Sequence, residues 1–294
     1  NAWLRLTLEG EKVVLVDKRS GKRWEDLIQL VDGGDAGDTY NYSPPEDDWR
    51  VTGAGALQSV DWQRGALADT LTLSWSIAAP RNLTDRQQRR LNTRLDVSMV
   101  ITLAHQRPVL DVQVSVNNTL QDHRLQVEIP TDVFTDCHFA DQPFGLIRRP
   151  NRPAALDVWQ QEQWGEAPAS LWPMQSLVMM HDGGQGMSVV TDGLREYEIP
   201  EGRPSVMAIT LLRSVGWLGR AGMPWRPGRA SGMALPSLSE CKACAVLIRR
   251  RDTARFCSAC HRAALRPRSS MNTLCPCRCG SAATVTCVSV CAPI

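Results

Sequence analysis

Apolar side chains recur at every second position through most of this chain. Leu4, Leu6 and Leu8 lead through Glu9-Gly10-Glu11 into the apolar run 13–16, which ends at the polar turn Lys18-Arg19-Ser20-Gly21-Lys22. Leu71, Leu73, Trp75 and Ile77 alternate with Thr72, Ser74 and Ser76, and Leu95, Val97, Met99, Ile101 and Leu103 repeat the pattern. Leu110, Val112, Val114 and Val116 do so again before Asn117-Asn118. A period of two puts alternate side chains on opposite faces, so this pattern predicts antiparallel strands with one buried and one wet face. The fold class expected is mainly β, a large antiparallel β-sandwich.

Three stretches break the pattern. Residues 83–91 carry Asp85, Gln87, Gln88, Arg89 and Arg90 and fit either a short helix or an exposed connection, with no function expected. Residues 148–172 are rich in Pro, Trp and Gln. Pro150, Pro153 and Pro168 exclude a long central strand, so an extended excursion over the sandwich is expected. Its Trp159, Trp164 and Trp172 have two readings, as pins that fix the loop to the core or as platforms for sugar faces, and the first is favoured. Residues 206–212 return to an apolar strand before a glycine-rich run that ends in Arg226-Pro227-Gly228-Arg229. Those arginines are read as solvated.

The densest chemistry lies in Asp32-Gly33-Gly34-Asp35-Ala36-Gly37-Asp38-Thr39-Tyr40-Asn41-Tyr42-Ser43-Pro44-Pro45. It combines three carboxylates, three glycines and two tyrosines. Glycines that accept positive φ and paired prolines predict a shaped loop bearing acids and phenols. Carboxylates accept hydrogen bonds from sugar hydroxyls, and phenols donate or accept. A sugar contact, an acidic surface turn and a calcium-binding loop all fit these residue types.

Charge and cysteine divide the chain near residue 236. The formal charge of +2 hides a tail of nine Lys/Arg against Glu240 and Asp252, and a body of 24 basic against 29 acidic residues. An acidic body argues against nucleic acid as its partner. Cys137 is the body's single cysteine and the other nine fall between Cys241 and Cys291, so the body fits a reducing cytoplasm. The chain begins at Asn1, without a leader pattern or an apolar run of membrane-spanning length. A soluble, cytoplasmic piece of a longer protein is expected, with no membrane partner.

Self-contained catalysis has no diagnostic motif in the body. His105, His123, His138 and His181 show no metal-ligand spacing, and neither a Gly-x-Ser-x-Gly elbow nor a phosphate-cradling loop occurs. The tail does carry Cys241-Lys242-Ala243-Cys244 and, twelve residues on, Cys257-Ser258-Ala259-Cys260, a spacing able to close a tetrahedral zinc site. Its crowded Cys, Arg, Ser, Ala and Pro are also what a GC-rich gene yields in a wrong frame. The expected division is therefore a β domain over 1–235 and an irregular or disordered tail over 236–294. Frameshifted translation is the first account of that tail, and a zinc ribbon binding nucleic acid or protein is the alternative.

Several motifs then occur in order: the Asp-Gly-Gly-Asp to Pro-Pro segment; Asn118-Thr119-Leu120-Gln121-Asp122-His123-Arg124-Leu125 with Ile129-Pro130-Thr131; Asp141-Gln142-Pro143-Phe144-Gly145; Trp172-Pro173-Met174-Gln175; Asp192-Gly193-Leu194-Arg195-Glu196-Tyr197; and Leu211-Leu212-Arg213-Ser214-Val215-Gly216. Together they resemble the C-terminal β-domain of the family 38 α-mannosidases, most of all the bacterial members that act on mannosylglycerate, over residues 4–236. The resemblance implies a sandwich of the galactose-mutarotase-like type behind an upstream catalytic domain. That domain would supply a zinc ion, the nucleophile and the acid/base of a retaining mechanism, so no catalytic or zinc residue is expected here. Partners implied are the α-mannoside substrate, the chain's own N-terminal catalytic domain and a second copy in a homo-oligomer. The resemblance further implies that Tyr40 hydrogen-bonds the bound mannose, that Asp38 and Asp35 shape the pocket, and that His123-Arg124 anchors a strand end. A non-catalytic carbohydrate-binding module is the alternative, and the chain alone is expected to be inactive.

Overall fold

The alternating stretches become long antiparallel strands. A computed structural model describes residues 1–38, 40–165 and 168–215, with the backbone of 246–247 and 288–291. Its strands, numbered β1 to β19 along the chain, form three sheets. A small sheet joins β1 (Leu4–Glu9), β2 (Lys12–Asp17) and β3 (Arg23–Trp24). A six-stranded sheet runs β13 (Leu171–Pro173), β16 (Glu196–Glu198), β17 (Val206–Ser214), β10 (His123–Pro130), β4 (Gln29–Gly34), β5 (Val51–Thr52). The third runs β12 (Gly145–Pro150), β11 (Cys137–Gln142), β14 (Leu177–His181), β15 (Gly186–Thr191), β19 (Val288–Cys291), β9 (Val109–Asn117), β8 (Thr93–Ala104), β7 (Ala68–Ala79), β6 (Leu57–Arg64), with β18 (Val246–Leu247) also paired to β9. Apart from β18 and β19, the tail lies outside the described residues, and so do Cys241, Cys244, Cys257 and Cys260 and the arginine run 226–229.

Register explains the core. Leu71, Leu73, Trp75 and Ile77 of β7 stand opposite Ile101, Met99, Val97 and Leu95 of β8, and three of these face Val112, Val114 and Val116 of β9. The stripes pack against Leu125, Val127, Ile129, Met207, Ile209 and Leu211, the inner faces of β10 and β17, in one apolar core. Burial of each such side chain contributes about 1.5–3 kcal/mol.

One strand departs from the expected one wet face. In β10 the alternate positions Arg124, Gln126 and Glu128 are as buried as Leu125, Val127 and Ile129. The segment from Asp35 to Arg50 lies over them. Arg50 Nη2 donates to Gln126 Oε1 at 3.0 Å and pairs with Glu128 at 3.4 Å, while Arg203 grips both Glu128 oxygens at 2.5 and 2.7 Å.

The stretch 83–91 forms α1 (Leu83–Gln87), capped by Asn82, and it is more than a surface connection. Arg86 is buried and donates from Nη2 to Asp32 Oδ2 and from Nη1 to the Trp49 carbonyl at 2.5 Å. The other Asp32 oxygen lies 2.5 Å from His123 Nδ1, and His123 Nε2 lies 2.9 Å from Asn118 Oδ1. Asn118 Oδ1 also accepts from Leu120 N, so both His123 ring nitrogens face acceptors. One buried carboxylate thus ties β4, β10 and α1.

A second network spans the two large sheets. Asn151 Nδ2 donates to the Thr135 and Pro204 carbonyls, which turns its Oδ1 toward His138 Nδ1 at 2.9 Å. His138 therefore donates from Nδ1 and accepts from the Tyr197 hydroxyl at Nε2, 2.7 Å away, while Arg149 donates to that hydroxyl at 2.9 Å. Burial pushes His138 down from 6.5 to about 4 and Tyr197 up to about 12. Trp172 packs against the core beside His138, whereas Trp164 is exposed and donates to Glu162.

Two expectations follow. Arg86→Leu strands Asp32 without its strongest partner and should lower stability by about 3–5 kcal/mol in urea unfolding at pH 7. Because His138 titrates lower when folded than when unfolded, its contribution is complete above pH 6.5 and is lost as pH falls toward 4. It amounts to about 3 kcal/mol, and His138→Gln should flatten that part of the stability–pH profile.

Candidate functional site

The glycine-rich acidic segment divides between a strand and a loop. Asp32, Gly33 and Gly34 belong to β4, and the loop begins at Asp35. The expectation that its glycines supply positive φ is not met, since Gly33, Gly34 and Gly37 are absent from the positive-φ residues. Close approach is the reason instead. A Cβ at Gly34 would stand 2.5 Å from Pro45 Cγ and 2.9 Å from Arg86 Cδ, and one at Gly37 would collide with the Asn41 carbonyl oxygen.

The loop folds back on itself. Ala36 N donates to Ser43 O at 2.8 Å and Asp38 N to Asn41 O at 3.0 Å. Asp38 Oδ1 accepts from the backbone N–H of Tyr40 and of Asn41, both at 2.8 Å, the local turn that aspartate favours. Below it, the buried Asp35 accepts from Gly37 N at 3.0 Å and from Arg213 Nε at 2.7 Å, and Asp35 N donates to Asp122 O. Arg213 also donates from Nη2 to the Asp38 carbonyl at 2.9 Å.

The two tyrosines of the segment differ. Tyr40 stands at the tip, 79% exposed. The Tyr42 ring lies under the Arg124 guanidinium, 3.5 Å from its centre, with Arg213 at 5.9 Å, and burial pushes its hydroxyl up to about 12. Arg124 Nη2 donates to Glu198 at 2.7 Å and its Nη1 has no hydrogen-bond partner, while the ring stack stabilises its charge.

Of the residues singled out from sequence, Asp35, Asp38 and Tyr40 come together, with Asp35 beneath the loop, Asp38 in its turn and Tyr40 on its surface. Tyr42 and Arg213 stood in motifs read from the sequence without a role of their own, and Arg86 had no local signal, because the partners of all three are distant in sequence. The acids are committed to the fold: Asp32 to Arg86 and His123, Asp35 to Arg213, Glu128 to Arg203 and Arg50. Among the described residues no three His, Cys, Asp or Glu side chains cluster as metal ligands, so these residues do not fit a zinc ion. The loop can present a phenol and backbone groups to a polar ligand, without a carboxylate pair for acid–base work.

The chain spans about a quarter of the length of the relatives it matches. A Halalkalibacterium halodurans protein named "Putative mannosylglycerate hydrolase" is 32% identical over 226 residues, 71% of this chain and 24% of that protein. The crystal structure of an α-mannosidase from Enterococcus faecalis V583 superposes with a TM-score of 0.65 at 24% identity, over 76% of this chain and 26% of that one. A family 38 glycosyl hydrolase structure from Enterococcus faecalis gives 0.63 at 23% identity, over 76% and 27%. These two show a shared fold. The model of the glycosyl hydrolases family 38 C-terminal domain matches residues 1–220, the whole of the described β body, and the chain therefore belongs to glycosyl hydrolase family 38 through that C-terminal domain.

Proposed function

We propose that this chain is the substrate-contacting C-terminal part of a retaining α-mannosidase that hydrolyses α-mannosides such as mannosylglycerate. The observation that carries the reading is Tyr40, an exposed phenol on a loop whose backbone is hydrogen-bonded across its arms and to the Asp35, Asp38 and Arg213 side chains. Its hydroxyl would donate to or accept from a hydroxyl of the bound mannose, while Asp38 and, beneath it, Asp35 fix the loop that carries it. The catalytic carboxylates and zinc would come from a catalytic region outside these residues, and the chain alone would be inactive. The commitment of its own acids to arginine partners supports that division of labour. A cytoplasmic setting, an assembly with that catalytic region and a tail produced by a change of frame near residue 236 belong to the same reading.

Tyr40→Phe, made in the complete enzyme containing this domain, should lower kcat/KM for an α-mannoside by about tenfold, the loss of a hydrogen bond of roughly 1–1.5 kcal/mol. An unchanged kcat/KM would remove Tyr40 from the site. Gly37→Ala, which forces the loop strands apart, should depress kcat/KM by at least as much while shifting Tm by only a few degrees; equal loss of both would mark the loop as a stability element instead.

A further inference from the structure

An exposed side chain has little packing of its own to hold it, so the place of Tyr40 is set by the backbone beneath it. That backbone leads to one side chain. We propose that Arg213, near the end of β17, is the positioning residue for Tyr40, a role that rests on the reading of Tyr40 as a sugar contact. The Arg213 guanidinium meets the loop in three places. Nε donates to Asp35 Oδ2 at 2.7 Å, Nη2 donates to the Asp38 carbonyl at 2.9 Å, and the Tyr42 ring centre is 5.9 Å from its central carbon.

Each contact is passed on. Asp35 Oδ1 accepts from Gly37 N at 3.0 Å and reaches Ser43 N at 3.4 Å, the two arms of the loop. Asp38, whose carbonyl Arg213 holds, accepts the Tyr40 and Asn41 amides on its side chain. Among the described residues, Asp38 thus links Arg213 to the Tyr40 amide. Arg213 is itself fixed, since it stands opposite Arg124 in the β10–β17 register next to the pair His123↔Ser214. His123 in turn is held by Asp32. The register of β17 is therefore transmitted to the Asp38 turn through a fork-shaped cation. Lysine could not replace it, because one ammonium lacks the planar spread that reaches the Asp35 carboxylate and the Asp38 carbonyl together. Arg124 touches the same loop through the face of the Tyr42 ring, 3.5 Å away, and its charge is held by Glu198, whereas Arg213 holds the Asp38 turn that carries Tyr40.

The chain contains three tyrosines, Tyr40, Tyr42 and Tyr197, so 3-fluorotyrosine labelling of the 294-residue protein gives three ¹⁹F resonances. Tyr197, buried between the sheets, reports the fold. In Arg213→Lys and Arg213→Ala the Tyr40 line should narrow severalfold and the Tyr42 line should shift, with Tyr197 unmoved. Methylguanidinium should restore the Tyr40 linewidth in Arg213→Ala, and Asp35→Asn should reproduce the release from the loop side. An unchanged Tyr40 line in both Arg213 variants overturns the proposal. So does movement of Tyr197 in every variant, which would make Arg213 a residue of the fold at large. Kinetics separate this from the functional reading. Normal kcat/KM in Tyr40→Phe with Tyr40 released in Arg213→Lys would reject the sugar contact and leave only a loop clamp, whereas the opposite pair of results would reject the clamp and keep the contact.

Discussion

The arrangement depends on a carboxylate with no access to water. Asp32 sits on β4 between Arg86 and His123, so the cation from α1 and the ring from β10 compete for nothing and each takes one oxygen. An isolated ion at that depth would be costly, and its presence in a folded protein requires near-ideal partners. Those partners come from segments 54 and 91 residues away in sequence. Satisfying one group therefore fixes the approach of three elements, and with them the point where the 35–50 segment leaves β4.

From that point a polar layer is built where a water-facing surface would be ordinary. Arg124, Gln126 and Glu128 on β10, Arg213 on β17 and Glu198 on β16 are matched by Arg50, Arg203, Asp35 and Tyr42. Charges of both signs alternate across it, so the layer is close to neutral within a few ångströms. Directional contacts of this kind define one geometry, where apolar packing alone would tolerate several. The outcome is a surface loop tied by hydrogen bonds and ion pairs to the sheet beneath it.

Much of the fold was legible in the sequence, and for a definite reason. In β7, β8 and β9 the period-two pattern coincides with burial residue by residue, because one side of those strands meets the core and the other meets water. The same rule fails for β10, where Arg124, Gln126 and Glu128 alternate as a wet face would and yet are covered. Alternation records polarity; it does not record what lies above the polar side. Arg86 was hidden for a related reason, since a charged residue in a short polar stretch looks solvated until its remote partner is known. The site was legible as a collection of residue types around Asp35, Asp38 and Tyr40, and the ordered motifs placed it in its family. The use of Gly34 and Gly37 was not legible. Their need arises from neighbours at Pro45, Arg86 and Asn41, two of which lie across folded loop or sheet boundaries.

The neighbours of β10 carry a consequence for the order in which the molecule is made. One partner, β4, is available early, but the other, β17, begins at Val206. During synthesis from the N-terminus, β10 must wait with an open edge until β17, about eighty residues further along, has left the ribosome, a long interval for an unpaired strand with a charged outer face. Contacts of such sequence separation are slow to form and are reached late in folding. Within its sheet β17 is the strand that joins β13 and β16 to β10, β4 and β5, so a nascent chain halted before it would leave the β10 edge open as a template for foreign strands.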